Sequence, residues 1–223
     1  FLIRTRLHRL SFHSPLLLAF FLLSGDVEPN PGPSSFTICT LNIRSLTNPL
    51  HSAAVSGIID THHPDLFCLT ETWIKPTTTS AELMDCTPSN YSLLSFPRNP
   101  GNRNSSSNIG GGTAFLIREP FTQLPASVPV FSSFESSTVT IKLPHSKLSV
   151  FNIYRPPTSS PFAKPFSLFL DEFHSFLSIA ATTPHEFLIT GDFNIHVDDQ
   201  TNTQTSQFLS LLSSFNLTQH VRS

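Results

Sequence analysis

From Ser34 onward, apolar runs of strand length alternate with longer stretches whose apolar positions recur at helical spacing. Phe36 to Ile43 (FTICTLNI) reads as a first strand. Leu50 to Thr61 reads as a helix, stopped by His62-His63-Pro64. Asp65 to Thr70 (DLFCLT) is an unbroken apolar strand ending at Glu71, and Tyr91 to Phe96 is another. Asn99 to Asn108 is rich in Ser and Asn and reads as a surface loop. Gly110-Gly111-Gly112 then leads into a strand over Thr113 to Arg118. Thr138 to Leu143 and Leu148 to Tyr154 flank Pro144-His145-Ser146 as a hairpin. Pro165 to Ala181 carries Phe166, Phe169, Leu170, Phe173, Phe176 and Leu177 at helical spacing. Glu186 to Thr190 is a buried strand running into Gly191-Asp192-Phe193-Asn194, and Thr205 to Phe215 is a last helix. Strands and helices alternating irregularly, with hairpins, predict an α/β (α+β) fold: two packed mixed sheets flanked by helices.

Composition narrows this picture. At 223 residues, 39% hydrophobic and 13% charged, the chain suits one sizeable domain rather than two. A net charge of −2 excludes a dedicated nucleic-acid coat or basic tail, so any contact with DNA is local. Three cysteines with no CxxC pair make neither a disulfide framework nor a zinc site. Cys39 and Cys68 lie in apolar runs and read as buried core thiols of a reducing compartment. The 21 phenylalanines read as core filling. The sequence starts at Phe1, and its only methionine is Met84, which reads as a piece of a longer reading frame.

Residues 1–33 differ in character. Arg4, Arg6 and Arg9 precede an apolar run, Leu16 to Leu23, with Ser24 and Gly25 after it. By itself this is the layout of a secretory signal, and the run is short for a bilayer span. The adjoining segment carries a sharper signal: Asp26-Val27-Glu28-Pro29-Asn30-Pro31-Gly32-Pro33. It resembles the 2A-type ribosome-skipping peptide, whose core reads D-(V/I)-E-x-N-P-G-P and is preceded by a short helix. The resemblance implies that the Gly32–Pro33 bond is never made, proline being a rigid secondary amine with fixed φ. The expected organisation is therefore a leader over 1–33 and one domain over 34–223. A Pro-rich linker is the plainer alternative.

Polar residues recur where buried strands end: Asn42, Glu71, Tyr154, Asp192 and Asn194. Strand ends fix a side chain and open to solvent, which suits a site. Taken singly, each has a structural explanation. Glu71 reads equally as a helix cap or surface acid, Tyr154 as a strand-end anchor, and Gly191 to Asn194 as a plain turn. The glycines at 110–112 lack the lysine of a P-loop and read as a bulge or close packing. His62 and His63 read as a solvated helix stop, and His196 lies near the Asp192 segment.

Taken in order, LNIRSL at Leu41–Leu46, LTETW at Leu69–Trp73, GGTAFLIR at Gly111–Arg118, IYRPP at Ile153–Pro157 and ITGDFN at Ile189–Asn194 resemble the successive motifs of LINE-type (non-LTR) retrotransposon endonucleases. These are the apurinic-endonuclease-like branch of the endonuclease/exonuclease/phosphatase superfamily. The resemblance spans Ser34 to the C-terminus. It implies a four-layer sandwich and a metal-dependent phosphodiesterase that nicks target DNA to prime reverse transcription. Glu71 would be the main Mg²⁺ ligand with Asn42 beside it, Mn²⁺ being an alternative ion. Asp192 would orient the attacking water or assist the leaving group, Asn194 would hydrogen-bond the phosphate without adding charge, and Tyr154 would donate its hydroxyl to a phosphate oxygen.

By the same resemblance, the family's last strands and its C-terminal Asp-His pair are not matched. His220 falls at a variable position, and the expectation is a C-terminally truncated domain of low turnover. The implied partners are target DNA, a downstream reverse transcriptase domain and element RNA, with no stable membrane association. The implied place of action is the nucleus after synthesis in the cytoplasm, secretion being the alternative that the leader suggests. The rival functions are a phosphomonoesterase of the same superfamily and an inactive remnant of a decayed element.

Overall fold

The computed structural model describes residues 20–23, 36–98, 110–124, 126–143, 146–199 and 201–220. Its elements run β1 (Phe20–Leu23), β2 (Ile38–Asn42), α1 (Pro49–His62), β3 (Leu66–Thr70), α2 (Ser80–Asp85), β4 (Tyr91–Phe96), β5 (Thr113–Arg118), β6 (Gln123–Leu124), β7 (Glu135–Lys142), β8 (Lys147–Tyr154), α3 (Phe166–Ala180), β9 (Glu186–Asp192), α4 (Thr203–Ser214) and β10 (Thr218–Gln219). Both sheets are mixed, and helices accompany each, as the patterning predicts. The chain divides into two compact units: β2 to β5 with α1 and α2 in one, and β1 and β6 to β10 with α3 and α4 in the other. The skipping-peptide residues Gly32 and Pro33 and the loop over 99–108 lie outside the described residues.

In the first unit the sheet order is β2-β3-β5-β4, with β2 and β3 parallel and the rest antiparallel. Parallel neighbours need a crossover, and α1 supplies it. Asn48 caps α1 by accepting from Leu50 N, Pro49 fits the first turn, and His63 closes the helix in the left-handed region at φ 44°. The helix buries Val55 and Ile59 in a cluster with Phe67, Leu69, Ala114 and Leu116. Every residue of β3 is buried, as its unbroken apolar run requires. At the base of the sheet Asp65 accepts from Thr37 N at 2.7 Å and pairs with Arg118. The patterning passed over α2. Its sequence does carry a capping box, in which Thr79 and Glu82 satisfy each other's backbone amides.

In the second unit the order is β10-β1-β9-β8-β7-β6. β7 and β8 form the expected hairpin, and β8 and β9 are parallel, joined through α3. The helix α3 buries Phe169, Phe173, Phe176, Leu177 and Ala180. Phe134, Phe151, Phe187, Phe193 and Phe208 meet them in one cluster. Ring centroids there stand 5.3–6.1 Å apart in stacked, tilted and edge-on pairs, which accounts for much of the phenylalanine content. The end of the apolar leader run is extended here, not helical: β1 lies antiparallel between β9 and β10. Its backbone closes an edge that β9 would otherwise present unpaired.

Candidate functional site

Two clusters of polar side chains stand at strand ends, one in each unit. The first is built on the C-terminal ends of the parallel pair β2 and β3, where Asn42 is opposite Thr70 and Glu71 comes directly after. The two chains stay zipped beyond the strands. Ile43 N donates to Thr70 O at 3.0 Å, Ser45 N to Glu71 O at 2.8 Å and Leu46 N to Thr72 O at 2.9 Å.

On the other side the Glu71–Trp73 segment pairs with the glycines: Thr72 N donates to Gly112 O and Trp73 N to Gly111 O. Glu71 and Trp73 both hold positive φ, 56° and 54°. Such a conformation costs a non-glycine residue about 1–3 kcal/mol, and it persists where surroundings over-determine it. The surroundings are visible. Glu71 Oε2 accepts from Trp73 Nε1 at 2.5 Å and from Gly111 N at 3.1 Å.

The glycines permit this approach. A Cβ on Gly111, at φ 77°, would fall 2.2 Å from Arg98 Cζ, and one on Gly112 would fall 2.7 Å from Thr72 Oγ1. Close packing is thus the role of Gly111 and Gly112, whereas a Cβ on Gly110 would meet only ordinary contacts, the nearest Glu71 Oε2 at 3.5 Å. Trp73, Gly111 and Arg98 were not singled out in the sequence as neighbours of Glu71. Trp73 sat in the LTETW motif, whose alternation with Glu71 was the available signal.

The second cluster joins β8 and β9. Tyr154 is opposite Asp192 in the parallel register, and both are buried, at 2% and 3% exposure. Asp192 is held by Asn194 twice: Asn194 N donates to Oδ1 at 3.0 Å, and Nδ2 donates to Oδ2 at 3.2 Å. Asn194 itself has φ 49°, a region asparagine tolerates better than most residues. Between them Phe193 is fully buried against Phe173 and Phe208, at 5.4 and 5.3 Å between ring centroids. The GDFN segment is therefore an anchored loop, with an aromatic pin between two polar side chains.

Gly191, at φ 128°, passes so close to β8 that a Cβ would stand 1.9 Å from Ile153 O. Arg155, buried at 3%, donates from Nη1 to Phe193 O at 3.1 Å and Asn194 O at 3.3 Å, and its guanidinium lies 5.1 and 4.9 Å from the rings of Phe166 and Phe169. Burial pushes its pKa below the usual value, and the Asp192 charge opposes that shift.

The Asn194 amide nitrogen also donates to Arg155 O at 2.6 Å, so in this arrangement it serves the protein. His196 is exposed, and its carbonyl accepts from Thr205 Oγ1. His63 caps α1 and is exposed. Cys68 and Cys86 are buried, but Cys39 is only half-buried. Burial pushes the Cys39 thiol up to about 11 and raises Cys68 further from reactivity.

A family model described as the Endonuclease/Exonuclease/phosphatase family matches residues 39–220. The chain belongs to this family. Members of the family are hydrolases of the phosphodiesterase and nuclease kind, typically dependent on a divalent metal. No curated protein matches the chain. Among solved structures it resembles the endonuclease domain of TRAS1, a telomere-specific non-LTR retrotransposon, with TM-score 0.56 and 11% identity over 80% of this chain and 71% of that one. It resembles the AP endonuclease LMAP from Leishmania major with TM-score 0.56 and 15% identity over 80% of this chain and 66% of that one. D. rerio TDP2 complexed with single strand DNA product gives TM-score 0.52 and 12% identity over 80% of this chain and 64% of that one. The chain thus spans just under two thirds of the TDP2 chain's length, and at such identities the likeness is one of fold.

The donor chemistry of the first cluster fits the metal that the family uses. Among the described residues no group of three His, Cys, Asp or Glu gathers as a thiolate or imidazole site would require. One carboxylate and one carboxamide stand instead at neighbouring strand ends, and one oxygen of that carboxylate is fixed by two N–H donors. A hard cation that keeps most of its waters asks for that kind of sparse oxygen set.

Proposed function

We propose that the chain is a divalent-metal-dependent DNA endonuclease of the non-LTR retrotransposon kind. The observation carrying this reading is the Glu71 carboxylate, held at a strained strand end with one oxygen pinned by Trp73 and Gly111. Glu71, with Asn42, would hold Mg²⁺ or Mn²⁺, and the ion would supply charge neutralisation at the phosphate. Asp192, its carboxylate oriented by Asn194, would orient the attacking water by accepting a hydrogen bond from it, or assist the departure of the leaving group. Tyr154 would steady a phosphate oxygen with its hydroxyl. The ordered motifs and the TRAS1 likeness support the retrotransposon branch, with target DNA as substrate and with reverse transcriptase and element RNA as associated partners acting in the nucleus. Among the described residues no helix is long and apolar enough to cross a membrane.

The competing phosphomonoesterase reading is tested by incubating the full chain, in excess, with supercoiled plasmid and separately with a 3′-phosphorylated oligonucleotide in Mg²⁺. The endonuclease reading predicts nicked circles without release of inorganic phosphate. Phosphate release without nicking would overturn it.

For the leader, the proposed skipping at Gly32–Pro33 is supported by the match of Asp26 to Pro33 to the skipping core. Cell-free translation of the sequence between two reporter proteins should yield two separate products. Pro33→Ala should merge them into one, and a single fused product from the unaltered sequence would refute the skipping.

A further inference from the structure

Arg155 makes more contacts with the Asp192 loop than any role in a simple core demands. Its backbone N–H donates to Asp192 O at 2.8 Å, which extends the β8–β9 pairing by one step. Its carbonyl accepts from Asn194 Nδ2 at 2.6 Å. Its Nη1 reaches the next two carbonyls of the loop, Phe193 and Asn194. One residue thus contacts all three members of Asp192-Phe193-Asn194.

The charge sits in a place that burial makes unfavourable. Arg155 is 3% exposed, and its guanidinium lies against the neighbouring rings of Phe166 and Phe169. A buried cation is tolerated where hydrogen bonds and aromatic faces replace water. Here both are supplied, and Asp192 provides the opposite charge. An apolar residue would fill the same space with less desolvation, so packing alone does not account for an arginine.

We propose that Arg155 is a positioning residue for the Asp192–Asn194 pair, holding the loop carbonyls on one side so that Asn194 turns left-handed and grips the Asp192 carboxylate through both oxygens. The chain of effect is short. The two carbonyls drawn to Nη1 set the peptide planes on either side of Asn194. That orientation fixes the Asn194 backbone N–H and side-chain amide on Oδ1 and Oδ2. The guanidinium acts through its planar geometry, laid against the two neighbouring rings with donors at fixed angles, and not through charge alone. Lysine, a flexible point charge, cannot reproduce that. The inference rests on the nuclease reading for what the held carboxylate is used for, but not for the holding itself.

The test uses the full chain and the variants Arg155→Lys, Arg155→Met and Phe166→Leu, the last leaving every hydrogen bond of Arg155 in place. Two readouts are taken: kcat and KM for Mg²⁺-dependent nicking per folded molecule, and the Asn194 side-chain amide resonances by NMR without substrate. A displaced reacting group costs about 10²-fold in rate. Both Arg155 variants should lose about that in kcat with KM nearly unchanged, Lys doing no better than Met, and both should shift the Asn194 amide signals. Phe166→Leu should fold normally and show a smaller loss of the same sign. Unchanged kcat per folded molecule, or full activity in Arg155→Lys, would overturn the proposal. If the wild-type chain does not nick DNA at all, the nuclease reading fails by itself. The Asn194 signals then decide the positioning claim, a shift upholding it and unmoved signals overturning it.

Discussion

At the scale of single residues, the site depends on positions where the backbone does what side-chain chemistry requires. Gly191 shows this most sharply. It precedes Asp192, holds φ 128°, and leaves no room for a Cβ against Ile153 O. Gly191→Ala should therefore destabilise the chain by about 2–4 kcal/mol in urea denaturation, because both a forbidden φ and a backbone clash must be relieved. A loss below about 0.5 kcal/mol would show that β8 and β9 yield easily at this step. The strand-end residues Asn42, Glu71, Tyr154, Asp192 and Asn194 were legible in the sequence because buried apolar runs stop at them. Their partners were not. Trp73 Nε1 reaches back two residues only because Glu71 and Trp73 both take positive φ, and no apolar–polar pattern encodes that. Arg155 was equally hidden, because an arginine after a buried strand reads as the return to solvent, whereas here two phenylalanine rings take it in.

At the scale of elements, periodicity located most of the strands and helices, and the differences fall where pattern gives way to short-range chemistry. β4 and β5 appear with the bounds read from the sequence, while β9 continues through Gly191 to Asp192 because pairing with β8 carries on past the apolar run. α2 is too short for an apolar period and rests on its capping box instead. The helix α3 shows how an element is tied down by more than its apolar face. Burial pushes the Glu172 carboxyl up, but the hydroxyls and amides of Ser132 and Ser133 outweigh it and leave the group below its usual value. A carboxyl depressed in the folded state contributes stability above its unfolded pKa and loses it as pH falls through the folded one. The stability gap between wild type and Glu172→Gln should thus be full at neutral pH and close as pH falls from about 4.5 downward. Denaturant titrations across pH 3–7 measure it, and a gap that stays constant would contradict the assignment (pH range about that of carboxylate titration).

At the scale of the molecule, the fold class came from irregular alternation of strands and helices, and the family match over residues 39–220 agrees with it. Composition carried less. A net charge of −2 spoke against a broad basic surface but could not locate a site. The sequence treated residues 1–33 as a leader outside the domain, whereas the backbone of Phe20–Leu23 takes a place in the second unit's sheet. A four-residue apolar segment has no period of its own, and what it pairs with is decided by an available strand edge. The central claim is that Glu71 and Asp192 serve metal-dependent phosphodiester cleavage. Its most direct test is single-turnover nicking of supercoiled plasmid by the full chain in excess, with Mg²⁺, with EDTA, and with Glu71→Gln and Asp192→Ala of verified fold. The account predicts nicking that requires the metal and falls by about 10²–10⁴-fold in each variant. Nicking that persists in EDTA or survives both substitutions, or no nicking by the wild-type chain, would contradict it.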